Sequence, residues 1–175
     1  AAFFNRLDPA NAAPQPLLAG HRPAYNFDVI AGVTYAIDLT RPPRYDGAGK
    51  LLDSTAWRIV DLRLDGQPLT DAQEVIVVTN NYRAAGGGGF PGLDGRSIVL
   101  EGPDSNRDAI VRYVEALGTI DPRPLGTWRF HAPDRPLRAS FISSPAARKF
   151  LADHPSISDA GDAEGGMARY ELTLG

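Results

Sequence analysis

Proline and glycine punctuate this chain too often for it to fold as long uninterrupted helices. The sequence holds 18 glycines and 15 prolines in 175 residues, many of them clustered, as at Arg41-Pro42-Pro43, Asp65-Gly66, Gly86 to Gly89 and Pro122 to Pro124. Proline lacks a backbone N–H and clashes with a preceding helical turn, while glycine favours turns and weakens regular elements. The segments left between these breaks suit short strands and a few short helices. A hydrophobic fraction of 43% and a charged fraction of 22% describe one folded domain, large enough to bury a core without a covalent or metal staple.

Hydrophobic patterning places the elements. Residues 1–24 are proline-broken and weakly periodic, and read as an irregular arm; residues 25–175 read as the folded domain. Val33, Tyr35, Ile37 and Leu39 alternate as a half-buried strand does. A second strand is predicted over 57–64, with Val60, Leu62 and Leu64 on one face and Arg58, Asp61 and Arg63 toward the wet side. Asp65-Gly66 then makes a hairpin-type turn. The unbroken run Val75-Ile76-Val77-Val78 predicts a central strand covered on both faces. A short strand follows at 97–100. Asp104 or Ser105 then caps a helix with Ile110, Val111, Val114 and Leu117 on its apolar face and Gly118 as its stop. Further strands are predicted at 128–130, 137–142 and 168–174, with a short helix at 145–151 that carries proline in its first turn. An acidic, glycine-rich loop precedes the last strand. The fold class is α+β: a mixed, mostly antiparallel sheet with a few helices.

Several chemistries are excluded or left without support. There is no cysteine, which removes thiol catalysis, cysteine-ligated zinc and disulfides together. A formal charge of −3 argues against a nucleic-acid polymer as partner, and no window approaches the roughly 20 apolar residues of a membrane span. His21, His131 and His154 form no metal-ligand pair, and Asp159, Asp162 and Glu164 lack the spacing of a calcium loop. No G-x-S-x-G elbow occurs. Only Lys50 and Lys149 among the 18 cations are lysine, which fits a GC-rich genome. The chain opens at Ala1 with no basic-then-apolar leader, as a processed or excised piece would.

One segment stands apart. Thr79-Asn80-Asn81-Tyr82-Arg83-Ala84-Ala85, followed by Gly86 to Gly89 and Phe90, sets two amides, a phenol, a guanidinium and four consecutive glycines directly after the β-branched run. Glycines permit close backbone approach, an exposed tyrosine offers a π-face to a planar ligand, and asparagine can bond base edges or ribose hydroxyls. The segment is neither a P-loop nor a dinucleotide fingerprint, because the lysine and the glycine spacing are absent. A flexible loop with a packed tyrosine is the alternative that this pattern leaves open.

The motifs Tyr25-Asn26-Phe27-Asp28 through Thr40, Arg44-Tyr45-Asp46-Gly47, Thr79-Asn80-Asn81-Tyr82-Arg83-Ala84, Ser105-Asn106-Arg107 and Trp128-Arg129 stand in order along the chain. Together they resemble the 2′,3′-cyclic-nucleotide 2′-phosphodiesterase/3′-nucleotidase family, a periplasmic branch of the 5′-nucleotidases. The resemblance implies an N-terminal metallophosphoesterase domain with two divalent metal ions and a catalytic His/Asp pair, all outside this chain. It also implies a C-terminal domain that sandwiches the base between two aromatic rings. Tyr82 matches the second ring; the first, with its neighbouring asparagine, falls upstream of Ala1. The implied substrate-binding set is Tyr82, Asn80, Asn81, Arg83, Gly86, Gly87 and Gly88, with no catalytic residue in this chain. An acid that binds ribose in other 5′-nucleotidases is replaced at about Gly88. Tyr25 and Phe27 are assigned to packing. The expected partners are 3′-nucleotides, 2′,3′-cyclic nucleotides and the metallophosphoesterase domain, in a periplasmic or secreted setting. The chain alone is expected to be inactive. A structural or interaction domain that kept the fold without the ligand is the competing reading.

Overall fold

The computed structural model describes residues 2–20 and 24–175. Among these residues the strands fall into two four-stranded sheets. In the first, β1 (Gln15–Pro16), β6 (Leu137–Ser143), β8 (Met167–Leu174) and β7 (Ile157–Ala163) lie in that order. β6 and β7 each run antiparallel to β8, and β1 lies parallel to β6. In the second the order is β4 (Gln67–Pro68), β3 (Ile59–Leu64), β2 (Val33–Ile37) and β5 (Trp128–Phe130). β2 and β3 are antiparallel, as are β3 and β4, while β2 and β5 are parallel. Among the described residues two α-helices, α1 (Asn81–Ala84) and α2 (Asn106–Leu117), complete the mixed α+β arrangement with three 3-10 segments. Among the described residues, no helix is long and apolar enough to cross a membrane.

The alternation in β2 and β8 turns one side chain in two toward a shared core, which is what a two-residue period requires. That core gathers Tyr35, Ile37 and Leu39 from the second sheet with Leu137, Ala139, Leu172 and Leu174 from the first, and Phe4, Leu7 and Leu17 from the arm. The arm carries only the two-residue strand β1, yet it is threaded through the interior. Leu7 N–H donates to Leu39 O at 2.8 Å and Leu17 N–H to Ser140 O at 2.8 Å, joining the two sheets. Phe3, Phe4, Phe27, Trp128 and Phe130 form an aromatic cluster with centroid separations between 5.0 and 6.0 Å, largely edge-to-face or tilted. Phe27 packs as expected. Tyr25 does not: the residue is 77% exposed.

Several other expectations are overturned. Val75-Ile76-Val77-Val78 is no strand; Ile76 is 81% and Val78 95% exposed, because nothing among the described residues lies alongside to complete a ladder or cover a face. Residues 97–100 are likewise exposed and pair with no described residue. The short helix expected at 145–151 is present, by contrast, wound as a 3-10 segment over Pro145–Asp153 with proline in its first turn. The acidic loop is mostly strand β7, with a register shift between Asp159 and Asp162 that accommodates Gly161 at φ 96°. Arg58 is buried, donating to Arg41 O and Phe4 O at 2.7 Å each. Burial pushes its pKa down to about 10, against the raising effect of Asp38. By contrast α2 runs as predicted: Ser105 Oγ accepts from Asp108 N–H and Gly118 ends the helix at φ 72°.

Carboxylates fix several turns. Burial works against the ionised Asp38, but the Thr40 hydroxyl and N–H, donating at 2.7 and 2.9 Å, together with Arg41 and His131, hold its pKa below the ordinary value. Arg129 and Arg63 do the same for Asp61, and Arg148 with the Gly161 N–H does so for Asp159. Each folded pKa lies below its unfolded counterpart, so the unfolded chain binds more protons between the two values. Their stabilisation is therefore complete above about pH 4 and is lost as pH falls through the folded values. Urea unfolding should show a midpoint that is steady near neutrality and drops below about pH 4; a pH-independent midpoint would contradict these assignments.

Candidate functional site

Asn80 has the short amide side chain that caps helices well. It sits at φ −81°, ψ 160° and its Oδ1 accepts from Arg83 N–H at 2.8 Å, opening the single turn of α1. Asn81 Oδ1 accepts from Tyr82 N–H at 2.9 Å. The chain then coils back on itself: Gly86 N–H donates to Arg83 O at 3.0 Å and Gly87 N–H to Tyr82 O at 2.7 Å. The side-chain amide nitrogens of Asn80 and Asn81 donate to no described residue.

Arg83 organises everything around this turn. It is only 7% exposed, and each of the five guanidinium N–H donors has an acceptor within the chain. Nε and Nη2 grip Asp28 in a fork, to Oδ2 at 2.8 Å and Oδ1 at 3.1 Å. Nη2 also donates to Tyr25 O at 2.9 Å, and Nη1 donates to Asn26 Oδ1 and Gly87 O, both at 3.1 Å. The Phe90 and Tyr82 ring centroids lie 4.5 and 5.4 Å from the guanidinium carbon, within cation–π range. Arg83 thus binds the Tyr25-Asn26-Phe27-Asp28 segment to the glycine loop.

The four glycines answer to this packing. A Cβ on Gly88 would fall 2.0 Å from Arg83 Nη1, and one on Gly87 would fall 2.6 Å from Cδ1 and Cδ2 of the Tyr82 ring. A Cβ on Gly86 would meet Leu93 O at 2.9 Å, and one on Gly89 would meet Ala48 O at 2.8 Å. The 44–51 loop, which Asp46 Oδ1 braces by accepting from Ala48 and Lys50 N–H at 2.9 Å each, therefore lies directly against the glycine run. The Tyr82 ring occupies the space that a Gly87 side chain would need, yet the residue remains 60% exposed. The result is a fixed aromatic ring presented to solvent on a tightly wound turn.

All seven sequence-predicted residues thus fall on one short turn, with Arg83 inside it and Tyr82 on its surface. Sequence reasoning missed Asp28, Asn26 and Phe90 as its supports; the Tyr25-Asn26-Phe27-Asp28 motif was a usable signal for the first two. Two cavities, of about 260 and 340 Å³, are lined by none of the seven. Among the described residues no group of three or more His, Cys, Asp or Glu side chains is gathered to hold a metal ion. Asp159 and Asp162 are instead bridged by Arg148 at 2.8 and 2.6 Å, and His21 lies outside the described residues.

The family profile of the 5′-nucleotidase C-terminal domain matches residues 8–95, which takes in the later part of the arm, strands β2, β3 and β4 of the second sheet and the Tyr82 turn. The chain belongs to this family. It is 39% identical over 173 residues to a trifunctional nucleotide phosphoesterase protein of Bacillus subtilis, covering 98% of this chain and 12% of that protein. It is 38% identical over 186 residues to the 2′,3′-cyclic-nucleotide 2′-phosphodiesterase/3′-nucleotidase of Haemophilus influenzae, and 39% over 188 residues to the protein of that name in Salmonella typhimurium. Each alignment covers 99% of this chain and 28% of the relative. No solved structure matches the chain significantly.

Gly88 and Gly92 provide an internally controlled test of the packing. Both hold φ at +82°, but a Cβ on Gly92 meets nothing within 4 Å. Alanine at either site carries the same left-handed strain, roughly 1–2 kcal/mol, and only at Gly88 does it also collide with the buried guanidinium. Chemical denaturation should find Gly88→Ala more destabilising than Gly92→Ala by about 1–3 kcal/mol; equal losses would contradict the arrangement.

Proposed function

We propose that this chain is the nucleoside-gripping part of a phosphoester hydrolase acting on 3′-nucleotides and 2′,3′-cyclic nucleotides, as the names of its relatives suggest. The observation that carries this reading is the Tyr82 ring, exposed to solvent on a turn that Arg83 and four glycines hold in place. A ring so held is ready to stack on a base at little further entropic cost. Stacking contributes roughly 1–3 kcal/mol per base and tolerates any base, which suits a broad-range nucleotide hydrolase. The amide nitrogens of Asn80 and Asn81 stand on the same turn as donors to base edge or ribose. Arg83 serves by position, since its donors are all engaged within the chain.

Hydrolysis in this reading belongs to a separate metallophosphoesterase part of a longer parent protein. Its two divalent ions would supply the Lewis acidity and the activated water. The contribution of these 175 residues is binding and orientation, which bring the phosphoester to the reacting groups and lower KM.

Titration of the isotope-labelled chain with adenosine tests this. Resonances of residues 80–90 should shift at millimolar ligand, and Tyr82→Ala should weaken binding by roughly 5- to 150-fold, the loss of one stacked base. Tyr82→Phe should bind nearly as the parent sequence does. Silence at millimolar adenosine would overturn the nucleoside role and favour a scaffolding or interaction domain.

A further inference from the structure

The connection between β6 and β7 packs back on the first sheet. At its start Ser144 Oγ accepts from Ala146 N–H at 3.2 Å, and Ser144 O accepts from the Tyr170 hydroxyl at 2.8 Å. Arg148 ties its middle to Asp159 and Asp162 of β7, and at its end Ile157 N–H donates to His154 O at 2.9 Å. A 3-10 winding brings side chains three apart onto one side, here Ala147 with Phe150. The methyl of Ala147 is too small to fill the space beneath it. A cavity of about 260 Å³ remains between this segment and the stacked rings of Phe141 and Tyr170, whose centroids lie 5.6 Å apart. Tyr170 is buried at the floor, whereas Phe150 and His154, which also line the cavity, are exposed at its mouth. Lys149 Nζ stands 4.9 Å from the Phe150 ring centroid, and Lys149 forms no ion pair with a described residue.

We propose that this cavity binds a small aromatic carboxylate, with its ring against Phe141 and Tyr170 and its carboxylate at the mouth beside Lys149 and His154. The walls decide the inner end of the ligand. The one polar group at the floor, the Tyr170 hydroxyl, is already bonded to Ser144 O, so a polar atom carried to that depth would go unpaired. An aromatic ring suits walls that are themselves aromatic. The mouth decides the outer end. The Lys149 ammonium attracts an anion and repels a cation, and neither ring nitrogen of His154 bonds to a described residue, which leaves the imidazole a donor for a carboxylate oxygen. Arg148 is engaged by two carboxylates, and Asp153, the adjoining acid, does not line the cavity. The volume lies below the roughly 300–1,000 Å³ of pockets for drug-sized ligands, which limits the occupant to a single ring with a short acid side chain. The cavity shares no residue with the Tyr82 turn, so the inference goes beyond the proposed function and requires no nucleoside.

NMR titration of the isotope-labelled chain with phenylacetate tests the proposal, with 2-phenylethanol as the uncharged counterpart. Resonances of Ala147, Leu151 and Ile157 should shift at millimolar phenylacetate while those of residues 80–90 stay in place. The alcohol should bind about 5-fold more weakly, the difference that one exposed ion pair makes. Lys149→Ala should erase that difference by weakening phenylacetate alone. Ala147→Leu should abolish binding of both compounds, because the added atoms occupy the cavity. Lys149 is exposed, so its variant keeps the test decisive even where Ala147→Leu disturbs folding. Three results would overturn the proposal: no shift around the cavity at roughly 10 mM phenylacetate, equal affinity for acid and alcohol, or a preference for the acid that survives Lys149→Ala. Shifts at the cavity produced by raising protein concentration alone would also overturn it, by identifying a second copy as the occupant.

Discussion

The guanidinium of Arg83 is the interaction on which the candidate site depends. Taking a cation out of water is costly unless its charge and every donor are met, and here a forked pair with Asp28, two backbone carbonyls and the Asn26 amide oxygen meet all of them. That arrangement dictates the sequence around it. Gly88 can carry no side chain because Nη1 lies in the way, and Gly87 can carry none because the Tyr82 ring does. A glycine run that first suggests a flexible loop or close backbone approach to a ligand is therefore a close-packed wall. Its consequence is a tyrosine whose backbone and neighbours are fixed while its ring stays in solvent.

This clamp is anchored in the core through one residue. Phe27 lies between Asn26 and Asp28, the two side chains that Arg83 holds, and its ring packs on Phe3, Phe4 and Trp128. The same aromatic cluster joins the N-terminal arm to β5 of the second sheet, and the arm in turn bonds to both sheets. Packing that stabilises the domain thus also sets the position of the turn. Lys is no substitute for Arg83, because an ammonium has three donors and no planar fork for Asp28.

The elements that could be read from sequence are those whose determinants are local. The Ser105 cap and Gly118 stop delimit α2, and Asp65-Gly66, at φ 50° and 77°, turns β3 into β4. The alternation from Val33 marked β2, and the strand expected at 168–174 is the body of β8. What escaped depends on distant partners. Arg83 looked like a surface cation available to a ligand, because its acceptors on residues 25–28 lie 55 to 58 positions away. Arg58 was assigned to the wet face, yet it bonds Phe4 O 54 residues distant. The run at 75–78 misled in the opposite sense: its composition specifies a covered strand, and the described residues provide no cover. Tyr82 itself was identified through resemblance, since no pattern in sequence distinguishes a presented ring from a packed one.

Membership in the 5′-nucleotidase C-terminal domain family and the geometry of the turn meet at one physical claim: a buried, fully bonded arginine presents Tyr82. Proton–nitrogen NMR of the arginine side chains tests it most directly. At neutral pH the Arg83 Nε–H should give a resolved, slowly exchanging signal, distinct from the exposed arginines, and Asp28→Asn should move it or abolish its protection. An Arg83 signal that exchanges as fast as those of the exposed arginines, with Asp28→Asn leaving it unchanged, would contradict the account.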